Sequence, residues 1–594
     1  MNGHQDMSKQ ALEHKIHHAD FCVVGGGLAG MCAAITAARR GLRVVLMHDR
    51  PMPGGNASPE VRMWVWGARG PNNRETGLIE ELLLENHYRN PLRNYSIWGS
   101  VLYESVHLQE NLTVLLNCSC NDLEMDGDRI RSVTGWQTTT QTWHTVEAAV
   151  FADCSGDSIL APLSGARFRF GQEAATEFGE SIATTKASRT TMGMSLLIQA
   201  REMASPQPFI PPKWAMKFPN DDDLAHRDHD LGNGDWMWNN FWWIEAGGDR
   251  DGIGQTEEIR DELLRCAFGV WDHIKNQGDH KSDNWVLDWV GFLPGKRESR
   301  RYEGDYIINE NDVRAGGPFN DVVAYAGWPM DDHHPNGIRH RGKPSTIYEA
   351  PSPWGIPYRS LYSCNIANLF CAGRNISASH VAFSSSRVMA TCAVLGQAVG
   401  TAATIAVRGA MTPREVGQRA IARLQQALLA DDCYLPGVRR DIPMLSRTAT
   451  LSASEGDPEP LRNGVDRPVG EAFNGWSGPA GAWVQYAFPH ARRLGRVRLV
   501  FDSDLNRPQT SMLCKYPLKI DPIAPPASLV RAFRIEALDA AGQWTTVFRE
   551  ENNHQRLVRV SLKTHAQALR LCPEATWGAE QMNVFAFDVE PCEE

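Results

Sequence analysis

Three groups of residues have types and spacing suited to chemistry. The first is Gly25-Gly26-Gly27-Leu28-Ala29-Gly30, a G-x-G-x-x-G run that follows the apolar residues 21–24 and opens a helical pattern at Leu28. In that setting Gly25 makes a tight turn, Gly27 lets backbone approach a pyrophosphate, and Gly30 lets helix and strand pack closely. The helix N-terminus then receives the diphosphate charge. The next strand, residues 43–47, is expected to end in an acid for ribose hydroxyls. It ends in His48-Asp49, which displaces the acid by one residue to Asp49 and leaves His48 as an alternative hydrogen-bonding partner.

The second group is Asp331-Asp332-His333-His334, after the turn-forming Gly-Trp-Pro that contains Trp328. Histidine is the usual base for a hydroxyl proton, because its free imidazole titrates near working pH. A metal reading is weaker. Neighbours on an irregular loop rarely converge on one ion, and no second ligand cluster is evident, so no metal centre is expected. The third group is LPGKRESRRY, where Lys296, Arg297, Arg300 and Arg301 surround Glu298 between apolar flanks. Charges in such a setting are partly buried and paired.

The elements that must hold these groups follow from periodicity. Residues 20–49 read as strand, glycine turn, helix and strand, and a second β-rich stretch covers residues 112–152. Residues 170–350 are Trp-rich, charged and irregular, like an inserted cap. An apolar helical pattern returns at 365–408. After a Ser/Gly/Pro/Glu-rich link, seven short strands of period two fill the last 130 or so residues, an antiparallel β-sandwich pattern. A chain of 594 residues has room for two or three such domains.

Composition excludes several classes. With 60 basic and 70 acidic side chains, the net charge is −10 and argues against nucleic acid or a polybasic membrane surface. The N-terminal residues show no apolar signal core. Thirteen scattered cysteines read as reduced thiols of a cytoplasmic protein. Residues 388–407 carry no charge and are long enough to span a bilayer, but Gln397, three Thr and two Gly suit a helix buried in a soluble core.

VVGGGLAG, HDRPMPGGNAS, FADCSGDS and NLFCAGRNISASHVAFSSSRVMATCAVLGQAVGTAA, taken in order, resemble FAD-dependent oxidoreductases of the two-dinucleotide-fold class, related to fumarate-reductase and glutathione-reductase flavoproteins. The resemblance covers about residues 20–430 and implies FAD. It implies that Gly54, Gly55, Asn56 and Ala57 lie along the diphosphate toward the flavin, and that Ser155, Gly156 and Asp157 lie near the dinucleotide. Gly373 and Arg374 fall in a second flavin signature. The following helix, from Ser384-Ser385-Ser386, is expected to aim its positive end at the pyrimidine edge of the ring. His380 follows that signature, which places it within reach of the ring as a base beside His333. Arg297 and Glu298 fall in the catalytic region with substrate-orienting or acid/base roles, an internal ion-pair network being the other reading.

Seven of 19 tryptophans lie between positions 236 and 289. Trp236 and Trp238, with Arg301, Trp328, Asp331 and Asp332, are expected to contact substrate, Trp faces meeting sugar C–H groups. A Trp-rich core under the cap is the other reading. The C-terminal strands resemble a galactose-binding-like jelly roll, which in some proteins binds glycans and in others only packs.

The expected fold class is therefore α/β: a Rossmann-type FAD-binding fold in two parts (19–170 and 356–435) with an inserted cap or substrate domain (171–355). A linker (436–464) leads to the β-sandwich (465–594). The expected activity is dehydrogenation of a secondary hydroxyl of a sugar, glycoside or polyol, within carbohydrate metabolism. Reduction of an activated double bond or ketone with an Arg proton donor is one alternative, and a non-catalytic carbohydrate-binding scaffold is another. The partners are then a small carbohydrate-like substrate and an electron acceptor whose identity the residues leave open, as they leave open a homo-oligomer.

Overall fold

The computed structural model describes residues 12–231, 240–509 and 512–592. Strand β1 (Glu13–Val24) turns at Gly25 into helix α1 (Leu28–Arg39), which leads to β2 (Val44–Met47). β3 (Leu112–Leu115), β4 (Cys118–Asp126), β5 (Arg129–Gln137) and β6 (Thr142–Asp153) follow, and β7 (Leu369–Cys371) rejoins the same sheet much later. β3, β2, β1 and β6 lie side by side in parallel; β7 runs parallel to the end of β6, and the β4–β5 hairpin pairs antiparallel with its start.

Register decides where chemistry is placed. Val24 is opposite Met47 and Asp153, and Asp153 is opposite Cys371. Four strands therefore end level, and residues 25–30, 48–49, 154–157 and 372–375 leave the sheet along one edge. That carboxyl edge is where open parallel sheets bind ligands.

Three more helices matter to the site: α2 (Thr256–Asn276), α3 (His380–Ser386) and α4 (Met389–Gly409). α4 crosses α1 with the backbones almost touching: a Cβ on Gly396 would lie 1.9 Å from Ala29 O, and one on Gly400 2.3 Å from Ala33 O. The small residues of α4 serve this close crossing. Its most apolar stretch is 94% buried within the protein, so its hydrophobicity is that of a core helix.

The inserted layer has its own core, in which Ile198, Phe241 and Trp243 pack with Leu263 and Trp271 of α2. Trp243 and Trp271 are fully enclosed there, so part of the tryptophan excess is core. The layer ends before residue 355. Ile308 and the apolar pair Val322–Ala326 and Trp354–Pro357, buried at every position, pack with the core of the nucleotide-binding part, while Ile338 between them belongs to the cap's own core.

The C-terminal module is a seven-stranded antiparallel sheet around a separate core that includes Trp476, Tyr486, Phe533 and Phe587. The stretch expected as a linker is part of it. Thr450–Ala453 pairs with residues 484–487, and Arg440 forms buried ion pairs with Asp466 and Asp588, so polar composition reflects local charge pairing and not a free tether. The module is also tied to the rest of the chain. Lys515–Tyr516 adds a strand to the cap sheet, and Arg507 pairs with buried Glu80 at 2.7 Å. Although burial alone would raise the Glu80 carboxyl, Arg507 pulls it down to about 2. All 13 cysteines are free and eleven are buried, as reduced core thiols are.

Candidate active site

The level strand ends open into a cavity of about 470 Å³ with charged walls. Gly25, Gly27, Leu28, Ala29, Asp49, Gly54, Gly55, Asn56, Ser155, Gly156, Asp157, Gly373 and Arg374 all line it. The glycines are there for space. Gly25 has φ +105° and its missing Cβ would sit 2.4 Å from the Cys154 carbonyl carbon, while a Cβ on Gly55 would lie 2.9 Å from Gly27 Cα. Gly30 lies behind the wall, where a Cβ would strike Gly25 O at 1.8 Å, so it serves helix–strand packing. Ala57 is likewise behind the wall, its carbonyl accepting from Trp98 Nε1.

His48 lines the cavity, but its ring is already committed. Nδ1 accepts from Gly26 N at 3.0 Å and Nε2 donates to Met52 O at 3.1 Å. Burial lowers its pKa and keeps the ring neutral for this bridge. Half-exposed Asp49 lies beside it at the cavity wall, and His48 shapes the turn. Asp157 receives Lys296 Nζ at 2.6 Å and Arg374 Nη2 at 2.8 Å. Burial alone would raise its pKa; the two cations outweigh this and hold it well below the carboxylate range. Beneath it, buried Asp153 accepts from Ser155 N, Leu160 N and Tyr302 O–H, and so fixes the loop.

The same cavity explains the Asp-Asp-His-His run. Residues 330–333 are not an irregular loop but a strand, Met330–His333, paired with Ser345–Tyr348. Side chains alternate along a strand. Asp331 and His333 therefore face the cavity together, and Asp332 faces away. His333 Nε2 lies 3.2 Å from Asp331 Oδ2 and Nδ1 lies 2.8 Å from Glu245 Oε1. Arg297 pairs with the same Glu245 oxygen at 2.5 Å, and Arg387 with Asp331 at 3.3 Å. Burial alone would raise Asp331; His333 and Arg387 hold it well below the usual range. Burial also lowers the pKa of the Arg297 guanidinium. Trp64, Trp66, Trp242 and Trp328 complete this wall.

Several expected residues sit elsewhere. His380 lines a separate cavity of about 40 Å³, together with Asp332, too small for a substrate. Its Nδ1 lies 3.0 Å from Glu298 and its Nε2 3.1 Å from Asp332. Burial alone would lower its pKa, but these carboxylates outweigh burial and push it up to about 10. His380 thus opens on this small cavity and not on the redox cavity, which removes it as the base. Glu298 is buried behind the cavity, accepting from Met192 N, and Arg301 is buried against Glu173 and Ala378 O. For these two, the ion-pair network is the reading the structure supports. Ser384 and Ser385 are also off the cavity, because α3 stops at Arg387 and the chain restarts as α4. The helix start that lines the wall is Val388, Met389 and Cys392, whose positive end favours negative charge in the cavity. Trp236 and Trp238 lie outside the described residues. Glu245, Lys296 and Arg387 carry no site role in the sequence reading, because each lies far along the chain from its partner (His333, Asp157 and Asp331), and Trp64 adds an indole to the same wall.

The charged His380 has a thermodynamic consequence. Its folded pKa of about 10 exceeds the free value near 6.5. The stability it contributes is therefore complete below about pH 6.5 and lost as pH rises through about 10. Thermal midpoints of wild type should fall more steeply than those of His380→Gln across that window; parallel profiles would refute the clamp.

An open parallel sheet with a glycine cradle, a committed phosphate-type turn and a polar pocket at its carboxyl edge defines a dinucleotide-binding redox enzyme. The family model for FAD dependent oxidoreductases matches residues 20–428, and the chain belongs to that family. Over 66 residues it is 39% identical to glycerol-3-phosphate dehydrogenase of Mycobacterium leprae and to glycerol-3-phosphate dehydrogenase 2 of Mycobacterium bovis. The match spans 11% of this chain and 11% of each relative. Among solved structures, the family 32 carbohydrate-binding module of Streptococcus pneumoniae EndoD is 14% identical, with 26% of this chain and 99% of the module covered at a TM-score of 0.20. The family 32 module of C. perfringens NanJ in complex with galactose is 13% identical, with 25% and 97% covered at 0.18.

The cavity fits FAD. Its wall carries six cations (Arg50, Lys296, Arg297, Arg300, Arg374, Arg387) against four carboxylates (Asp49, Glu60, Asp157, Asp331), an excess that matches the two negative charges of a diphosphate. Trp64 Nε1 and Asp331 Oδ1 are buried at this wall without hydrogen-bond partners, polar atoms that a bound molecule would satisfy.

Proposed function

We propose that the protein is an FAD-dependent dehydrogenase that oxidises a secondary hydroxyl of a small sugar, glycoside or polyol, with His333 as the proton acceptor. The observation that carries this reading is His333 in the cavity wall, held between Glu245 and Asp331. FAD, when bound, supplies the two-electron acceptor for the C–H bond. Glu245 accepts from Nδ1–H, and Nε2, which meets Asp331 at 3.2 Å, is the atom at the cavity side that exchanges this contact for the hydroxyl proton. Once protonated, the ring is flanked by two carboxylates that stabilise the imidazolium. Arg297 and Arg387 fix those carboxylates and give oxygen-rich substrates two donors. The four tryptophans provide apolar faces for substrate C–H groups and exclude water. The name of the mycobacterial relatives, dehydrogenases of a phosphorylated polyol, agrees with this substrate class.

One observation favours a second reading, reduction of an activated double bond or ketone: Arg297 is a buried guanidinium at the cavity wall with a lowered pKa, placed as a proton donor would be. Anaerobic mixing of the FAD-loaded protein with a panel of sugars, glycosides and polyols separates the two. Bleaching of the yellow colour by hydroxyl compounds supports dehydrogenation. A panel that leaves the colour intact, while the reduced protein is reoxidised by enones or keto acids, supports the second reading.

A further inference from the structure

Beyond the cavity, the cap brings together three imidazoles and a carboxylate that the redox site does not use. Asp221, His229, His273 and His280 offer ligand atoms that all lie within 4.8 Å of one another. The three rings form a near-regular triangle, with centroid separations of 4.9, 4.7 and 4.7 Å. Asp221 Oδ1 faces all three, 3.3 Å from His273 Nε2, 3.6 Å from His280 Nε2 and 4.0 Å from His229 Nε2.

We propose that Asp221, His229, His273 and His280 bind a divalent transition-metal ion of the zinc class, which staples the cap. Zinc takes four N/O/S donors in a tetrahedron, and three imidazoles with one carboxylate make a complete set. Two of the rings are already oriented as ligands. His273 Nδ1 donates to Phe218 O at 2.7 Å and His229 Nδ1 to Arg227 O at 2.6 Å, which leaves each Nε2 as the lone-pair atom turned inward. Backbone carbonyls behind the distal nitrogen are the usual outer support of metal-bound histidine. His273 Nε2 is the independent sign: it belongs to a ring 1% exposed and has no hydrogen-bond partner, a cost that a metal bond removes. His280 Nε2 now meets Gln277 O at 2.8 Å and exchanges that hydrogen bond for the metal.

The position indicates a structural ion. The ligands come from the short turn Asp221–Leu224, the following loop, the last turn of α2 and the loop after it, so one ion joins four successive pieces of the cap. Thr256, at the other end of α2, lines the redox cavity. Seventeen residues of helix separate the two, about 25 Å. The ion is therefore outside the redox chemistry, and it anchors the helix whose start helps form the cavity wall.

The test uses the full-length protein, stripped with a chelator, dialysed and titrated with Zn2+ alone. One equivalent per chain is expected, with a higher thermal midpoint and unchanged FAD absorbance; Co2+ in its place should show the intense visible bands of a four-coordinate ion. His273→Ala and the better-exposed His229→Gln and Asp221→Asn should each weaken binding about 100-fold or more, whereas Asp279→Asn, an exposed acid outside the set, should not. The two less buried variants keep the test valid if His273→Ala fails to fold. Absence of stoichiometric binding by wild type, or equal affinity in His229→Gln and Asp221→Asn, would overturn the site.

Discussion

His333→Gln lowers kcat/KM for the hydroxyl substrate about 10³-fold while the purified protein stays yellow. Positioned general bases contribute about 10² to 10⁴ in rate. Glutamine keeps the volume and an amide donor for Glu245, but it offers no atom that accepts a proton near neutral pH. Because the base acts in the transition state, the loss falls on kcat and kcat/KM alike and not on KM. FAD content is the control: the glycine cradle and the Asp157 cluster are built without His333. A variant within about threefold of wild type would remove His333 from proton transfer.

Gly27→Ala folds but loses FAD. Gly27 has φ −68° and ψ 175°, a conformation open to any residue, and the nearest atom to an added Cβ is Gly55 Cα at 3.9 Å. The protein itself thus tolerates the methyl group. A dinucleotide does not, because its diphosphate must approach this backbone within van der Waals distance. FAD affinity should fall at least about 100-fold, with the thermal midpoint of the FAD-free protein unchanged. Gly30→Ala is the contrast. Its methyl would sit 1.8 Å from Gly25 O, so the soluble folded yield should collapse whether or not FAD is present. If Gly27→Ala retained full flavin content, the cradle would not be the diphosphate site.

The nucleotide half was legible because its signal is local. Strand, three glycines and helix occupy consecutive residues, and the same short spans carry Gly54-Gly55-Asn56 and Ser155-Gly156-Asp157 into the cavity wall. The catalytic end was only half legible. The density of Asp331 to His334 pointed to the right segment, but its strand conformation decides which two of the four face the cavity. Glu245, the partner that orients His333, lies 88 positions away, and only the tertiary fold supplies it. His380 was misplaced for the opposite reason: nearness in sequence to the second flavin signature does not prevent its ring from turning back toward Glu298 and Asp332. The helix start was misplaced because a break at Arg387 and Val388 divides one apolar pattern into two helices. The metal-ligand set escaped any spacing rule, since its members are spread from position 221 to 280 and converge only when α2 packs on the cap.

The most direct measurement follows the colour of the FAD-loaded wild type, mixed anaerobically with its best hydroxyl compound and with the same compound deuterated at the hydroxyl-bearing carbon. The account predicts bleaching by both and a clearly slower rate with deuterium, because that C–H bond breaks as His333 takes the hydroxyl proton. Hydroxyl compounds that leave the protein yellow, with reduced protein instead reoxidised by an enone or keto acid, would contradict it.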